Sequence, residues 1–276
     1  MSLPIYQVDA FATSIFKGNP AAVCLLTKAA SPKWMQLVAR EMNLSETAFV
    51  HPRAEGFGLR WFTPQAEVEL CGHATLSAAH ILWESGMVGS GVKIRFNTLS
   101  GWLSATKKED MIELDFPSAA VVPGDISEEI VAALGPVPEF IFRSGEKWLL
   151  EFPHETEITG MTPDFNVLRQ YSGRGLIVTA RSEKPGIDFI SRYFAPWIGI
   201  DEDPVTGSAH CCLAPYWSKK LGKEQMTALQ VSARGGTIRV QLKGNRVLLS
   251  GQAVTVFHGE LSRVSTELYR QEEKTK

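Results

Sequence analysis

The spacing of apolar residues along the chain changes repeatedly, and each change predicts an element. Residues 3–12 alternate and predict a strand, and the apolar run 21–26 predicts a second, buried one. Between them Phe16-Lys17-Gly18-Asn19-Pro20 has turn chemistry, because Gly and Asn tolerate positive φ and Pro blocks a helix. Ser31-Pro32 predicts a helix start, with Ser as cap and Pro in the first turn. Trp34, Leu37, Val38 and Met42 then share one helical face, and Asn43 ends the helix. Residues 44–50 alternate again. Leu44, Glu46, Ala48 and Val50 share one face, and Ser45, Thr47 and Phe49 the other. Strands follow over 59–62 and 67–70, then a helix over 73–84 closed by Ser85-Gly86, then meandering strands over 93–96, 101–106 and 111–116.

Residues 117–124, with two prolines and a glycine, read as a linker. Beyond it the pattern restarts. Helices are predicted over 127–134, 163–171 and 208–221, and strands over 140–143, 147–152, 176–180, 188–194, 231–233, 237–242, 246–249 and 253–257. The polar tail 269–276 is expected to fray. The chain therefore divides into halves 1–117 and 118–276, each with strands, one glycine-initiated helix, and more strands. Many strands with few helices, on connections too short for βαβ crossovers throughout, predict an α+β fold rather than a Rossmann sheet.

Composition narrows the function. Hydrophobic residues make up 44% and charged residues 21% of the 276, as in a globular enzyme. A net charge of −2 gives no basic field for nucleic acid or anionic lipid. No apolar run suits a membrane span, and no signal peptide opens the chain, so the expected home is the cytoplasm. The four cysteines, at 24, 71, 211 and 212, form no CxxC pair and are expected to stay reduced. His73 and His80 lie seven apart, too far to share a metal comfortably. No metal site, P-loop or dinucleotide fingerprint is found, so no cofactor is expected.

Two stretches are alike. Cys71-Gly72-His73-Ala74 and Thr206-Gly207-Ser208-Ala209 each follow an acidic extended segment and open an Ala-rich helix. Two helix N-termini facing one cleft would suit a carboxylate; ordinary strand-to-helix turns are the alternative. Glu46, on a small apolar face, is either a general acid/base or a strand-end carboxylate paired at the surface. The helix dipole at His73 disfavours the imidazolium, which leaves a neutral donor or acceptor, or a structural ring. Asp203 either orients a proton-transfer group or complements the helix start. Ser208 either binds a carboxylate or caps the helix. Cys71 is a low-pKa acid/base or a small buried residue.

The chain resembles the phenazine-biosynthesis PhzF-like family of the diaminopimelate-epimerase-like fold. The resemblance covers nearly its whole length. It rests on Val8-Asp9-Ala10-Phe11, Gly18-Asn19-Pro20-Ala21-Ala22-Val23, Asn43-Leu44-Ser45-Glu46-Thr47-Ala48-Phe49, Leu59-Arg60-Trp61-Phe62-Thr63-Pro64, Cys71-Gly72-His73-Ala74-Thr75 and Glu202-Asp203-Pro204-Val205-Thr206-Gly207-Ser208-Ala209. It implies two similar halves, each a barrel-like mixed sheet around a central helix, with the site at the cleft between them. It also implies a cofactor-free isomerase or epimerase of small carboxylic acids, usually homodimeric. Glu46 would shuttle the proton with His73 and Asp203 beside it, while Asn19, Gly72, Gly207 and Ser208 would bind substrate. Two other readings stand beside it: a protein-binding module without catalysis, serving a protein partner, and a thiol racemase built on Cys71.

Overall fold

The structure, a computed structural model, describes residues 3–262. The chain folds into two compact units. One runs to Asp115 and takes the chain up again from Ser250; the other is Phe116–Leu249.

The first unit begins with strands β1 (Leu3–Ala10) and β2 (Asn19–Leu25), helix α1 (Pro32–Met42), and strands β3 (Glu46–Pro52), β4 (Phe57–Phe62) and β5 (Glu67–Val68). Helix α2 (Gly72–Glu84) follows, then β6 (Ile94–Thr98), β7 (Gly101–Lys108) and β8 (Met111–Pro117). Helix α1 starts and stops where its sequence says. Ser31 Oγ accepts the Trp34 N–H at 3.2 Å, and Asn43 takes the left-handed conformation that closes the helix. Its buried stripe is Trp34, Met35, Val38 and Ala39, packed with Phe49 and Phe62 of the sheet. Leu37, expected on that stripe, is exposed: the packed face is rotated toward Met35. Each large side chain so buried contributes roughly 1.5–3 kcal/mol.

The second unit contains β9 (Val122–Pro123), α3 (Glu128–Leu134), β10 (Phe140–Ser144), β11 (Lys147–Glu151), α4 (Glu155–Thr159), α5 (Phe165–Leu168), β12 (Gly175–Arg181), β13 (Phe189–Ala195) and β14 (Ile200–Glu202). Helix α6 (Gly207–Leu221) then precedes β15 (Gln225–Gln230), β16 (Gly236–Lys243) and β17 (Arg246–Gly251), and β18 (Ala253–Leu261) ends the described chain. Three expectations are corrected. The strand expected at 231–233 is β15, six residues earlier, because Phe189 and Ile190 pair with Ala228 and Leu229. The helix expected over 163–171 is the short α5, started by Asp164, whose Oδ1 accepts two N–H groups. The last strand belongs to the first unit: β18 runs antiparallel to β1 along Leu3–Ala10. The tail 269–276 lies outside the described residues.

The pairing order repeats. In the first unit the strands run β18-β1-β2-β3-β4-β6-β7-β8, with β2–β3 and β4–β6 parallel and the other neighbours antiparallel. In the second they run β9-β10-β11-β12-β13-β15-β16, with parallel pairs at the matching places, β11–β12 and β13–β15. In each unit one short strand, β5 or β14, folds back on the fifth strand of the set, β4 or β13, and leads into a helix. The repeat reaches single residues. Arg60 grips Glu67 with both guanidinium arms at 2.6 and 2.7 Å and lies over the Phe62 ring. Arg192 grips Glu202 at 2.7 and 2.9 Å and lies over Phe194. Five residues after each glutamate comes the helix-opening glycine, Gly72 or Gly207. This register matches Cys71 with Thr206, His73 with Ser208, and Glu46 with Gly175, since Glu46 pairs with Ala21 where Gly175 pairs with Lys147.

Helices α2 and α6 are buried almost all round, the mark of a helix that a sheet wraps rather than one laid on a surface. Small residues Ala74, Ala78 and Ala79 let strands approach α2 closely. Pro215 inside α6 removes the N–H that would bond the Cys211 carbonyl. Ala119 N–H takes that carbonyl instead at 3.0 Å, so the expected linker is tied to the second unit's central helix.

Candidate active site

In the first unit the site is built at the start of α2. Strand β2 opens on Asn19 after a turn that only glycine allows. Gly18 has φ +65°, and a Cβ there would meet the Ala10 carbonyl oxygen at 2.1 Å. Asn19 is fully buried; its amide nitrogen lies 3.2 Å from His73 Nδ1, and Ser45 Oγ donates to its oxygen at 3.3 Å. Glu46 opens β3 on the face shared with Ala48 and Val50, as its sequence implied. Phe49 packs on the opposite side against α1. Its Oε2 lies 2.9 Å from His73 Nε2. The approach is not aligned as a hydrogen bond, and among the described residues this buried oxygen makes none. Cys71 Sγ stands 3.6 Å from His73 Nδ1 and 3.9 Å from Nε2. No side chain caps the helix, and Thr75 and Ser77 hold the first turn by donating to the Cys71 and His73 carbonyls.

The electrostatics reverse one expectation. Burial alone would lower the His73 pKa, but Cys71 and the Glu46 carboxylate together raise it well above its ordinary 6.5. Burial pushes the Cys71 thiol up to about 11, so it is uncharged at neutral pH and Glu46 is the partner that matters there. The raised pKa favours the charged ring, where the helix dipole alone would favour the neutral one. A full charge at contact outweighs a fractional one spread over a helix turn. The raised thiol likewise rules out a low-pKa Cys71.

The second unit holds the other predicted residues around the start of α6. Asp203 accepts from the Thr206 hydroxyl, its N–H donates to the Tyr193 carbonyl at 3.0 Å, and Gln230 Nε2 donates to its carbonyl at 2.7 Å. Gln230 Oε1 also accepts the Thr206 N–H at 2.8 Å. Gly207 is the first helical residue. Ser208 is exposed, and Lys147 Nζ donates to its Oγ at 3.0 Å and its carbonyl at 3.3 Å. Burial lowers the Lys147 pKa, against the opposing pull of Cys212 and Cys211. The structure thus gathers the predicted residues in two groups: Asn19, Glu46, Cys71, Gly72 and His73 in one unit, and Asp203, Gly207 and Ser208 in the other. Lys147, Thr206 and Gln230 were missed. Only aligning Arg60-Trp61-Phe62 with Arg192-Tyr193-Phe194 and tracing the sheet register from there brings Lys147 and Thr206 into view.

Among the described residues Glu46, Cys71 and His73 also form a group able to hold a metal ion, with donor atoms within 4.8 Å of one another. No helix of the described chain is long and apolar enough to cross a membrane.

The features so far define a class: a fold of two α+β units with a buried carboxylate and an imidazole in contact at a helix start. Residues 8–259 match the family model described as phenazine biosynthesis-like protein, PhzC-PhzF. A protein of Halalkalibacterium halodurans named an uncharacterized isomerase is 51% identical over 262 residues, covering 95% of this chain and 99% of that one. The human phenazine biosynthesis-like domain-containing protein is 42% identical over 288 residues, covering 95% and 100%. A crystal structure of a PhzF-family phenazine biosynthesis protein from Enterococcus faecalis superposes with TM-score 0.91 at 43% identity, covering 95% and 100%. The chain belongs to the phenazine biosynthesis-like PhzC-PhzF family and is an isomerase of that family.

Proposed function

We propose that the protein is a cofactor-independent isomerase or epimerase that moves a proton on a small carboxylic acid, with Glu46 as general acid/base. The observation that carries this reading is Glu46 Oε2, a buried carboxylate oxygen 2.9 Å from His73 Nε2 with no aligned hydrogen bond among the described residues. A structural carboxylate in such surroundings would be hydrogen-bonded. One left open can accept a proton from a substrate carbon and return it. His73 offsets the carboxylate charge and then the charge that develops on substrate. Asn19 and Gly72 shape the edge of this group. In the second unit Gly207 and Ser208, with Lys147, offer polar groups and a helix start suited to a carboxylate, and Asp203 beside them would orient a proton-transfer group. The protein works in the cytoplasm as a homodimer without organic cofactor. The unpaired state of all four cysteines agrees with a reducing compartment.

The thiol-racemase reading loses support from the register. Thr206 stands where a second thiol would have to be, and Cys211 lies within α6, buried. The test is proton exchange in D₂O followed by NMR, with wild type and Glu46→Gln and a panel of small carboxylic acids that includes 2,3-dihydro-3-hydroxyanthranilate. Deuterium entering a substrate carbon with wild type and not with the variant is the expected result. Exchange that survives in Glu46→Gln, or none with any acid of the panel, overturns it.

A further inference from the structure

Behind the contact between Glu46 and His73 stand three side chains that decide which ring nitrogen carries the proton. Gly18 makes the turn that delivers Asn19 to the start of β2, fully buried and paired with Ala10. Ser45 Oγ lies 3.3 Å from Asn19 Oδ1, and a carbonyl oxygen only accepts, so the hydroxyl donates. This turns Nδ2 toward His73 Nδ1, 3.2 Å away. An amide nitrogen only donates, so Nδ1 accepts. The Cys71 thiol stands 3.6 Å from the same nitrogen, and burial keeps its proton on, so a second donor faces Nδ1. The ring proton therefore sits on Nε2, 2.9 Å from Glu46 Oε2. That approach is not aligned as a hydrogen bond, so the N–H and the carboxylate oxygen lie side by side, each able to meet a third group.

We propose that Asn19, oriented by Ser45, is a positioning residue that fixes the tautomer of His73, so that an Nε2–H always stands beside the Glu46 carboxylate. A second proton on Nδ1 is met by the same amide turned about its Cβ–Cγ bond. Oδ1 then accepts from Nδ1–H, and Ser45 Oγ accepts from Nδ2. Nε2 keeps its proton in either charge state. The consequence for the reaction rests on the acid/base reading of Glu46. Oε2 takes the proton as the substrate C–H bond breaks, the electron pair stays with the substrate, and Nε2–H donates a hydrogen bond to the substrate atom where charge gathers. No proton leaves His73 in that step, and the proton on Oε2 returns to carbon at the end.

The first test needs no substrate. Long-range ¹H–¹⁵N NMR on the whole chain with ¹⁵N-labelled histidine separates the protonated ring nitrogen from the bare one, and the signals missing in His73→Gln belong to His73. Spectra are taken above the pH at which the ring gives up its second proton. Wild type should show the proton on Nε2. Asn19→Asp, whose carboxylate only accepts, should move it to Nδ1. Ser45→Ala frees the amide to turn and should give both tautomers; it decides the matter should Asn19→Asp fold poorly. A wild-type proton on Nδ1 overturns the proposal, and so does a tautomer left unchanged by either substitution in a folded protein. Deuterium uptake from D₂O by 2,3-dihydro-3-hydroxyanthranilate reads the role in the reaction. Asn19→Ala should slow uptake at saturating acid at least about tenfold, with the half-saturating concentration within about threefold of wild type. Unchanged uptake, or a loss confined to half-saturation, overturns the positioning role. A wild type that carries the Nε2 proton yet exchanges no acid overturns the reading of Glu46 and leaves the tautomer assignment standing.

Discussion

Replacing Glu46 by Gln should separate chemistry from stability. Gln keeps the shape and removes the charge. The pair it breaks spans 2.9 Å between side chains only 7% and 15% exposed. At an effective dielectric of about 20, two unit charges at that distance attract by about 6 kcal/mol. Bringing each ion out of water costs several kcal/mol, and the geometry here repays no hydrogen bond, so the net contribution is close to zero. Gln removes one partner only, so the loss in unfolding free energy should approach about 3–5 kcal/mol if His73 stays charged and be smaller if the ring gives up its proton. Loss of the acid/base group should lower proton exchange by about 10²–10⁴-fold. Urea unfolding measures the first and deuterium uptake by NMR the second. A folded Glu46→Gln protein exchanging within about threefold of wild type would refute the assignment. A loss of more than about 5 kcal/mol would exceed what the broken pair explains and show Glu46 to be a structural anchor instead.

Three further outcomes follow from the geometry. The His73 pKa is raised in the fold, so its contribution is full below the unfolded value of 6.5 and is lost as pH climbs through the folded value. The stability gap between wild type and His73→Asn should accordingly be widest in mild acid and shrink in alkali, as followed by urea midpoints across pH. His210 behaves oppositely. Its Nδ1 lies 2.8 Å from the Thr206 carbonyl, its Nε2 is buried without a partner, and burial pushes its pKa down to about 4. Protonation of the unfolded chain then removes about 3 kcal/mol as pH falls from 6.5 toward 4, and His210→Gln should flatten that slope. Gly175→Ala should destabilise by about 1–3 kcal/mol, since its Cβ would meet the Tyr193 hydroxyl at 2.1 Å and the ring carbon bearing it at 2.3 Å, and Tyr193→Leu should restore more of the loss than Tyr193→Phe, which keeps that carbon.

Much of this was legible because the cues are local. The Ser31-Pro32 start of α1, its Asn43 stop and the face that Glu46 shares with Ala48 depend on residues within a turn or a strand. The return of β18 to β1 was not legible. A strand pattern fixes which side chains are buried, not which distant strand supplies the hydrogen bonds. The rotation of α1 that exposes Leu37 and buries Met35 is likewise set by the sheet beneath it. The charge of His73 escaped for a related reason: its helix position is visible in sequence, but the carboxylate beside it comes from a strand 27 residues earlier. Lys147 carries no local signal at all and becomes noticeable only through its register opposite Gly175.

The internal repeat bears on stereochemistry. At the positions of Glu46, Cys71 and His73 the second copy carries Gly175, Thr206 and Ser208, and none of these exchanges a proton at neutral pH. The second copy therefore offers no counterpart to the Glu46 carboxylate as a base. A single carboxylate that removes a proton and hands it back works from one side of the substrate plane. On the acid/base reading proposed for Glu46, the expected outcome is a suprafacial shift, with a label placed on the donor carbon reappearing in part on the acceptor carbon of the same molecule.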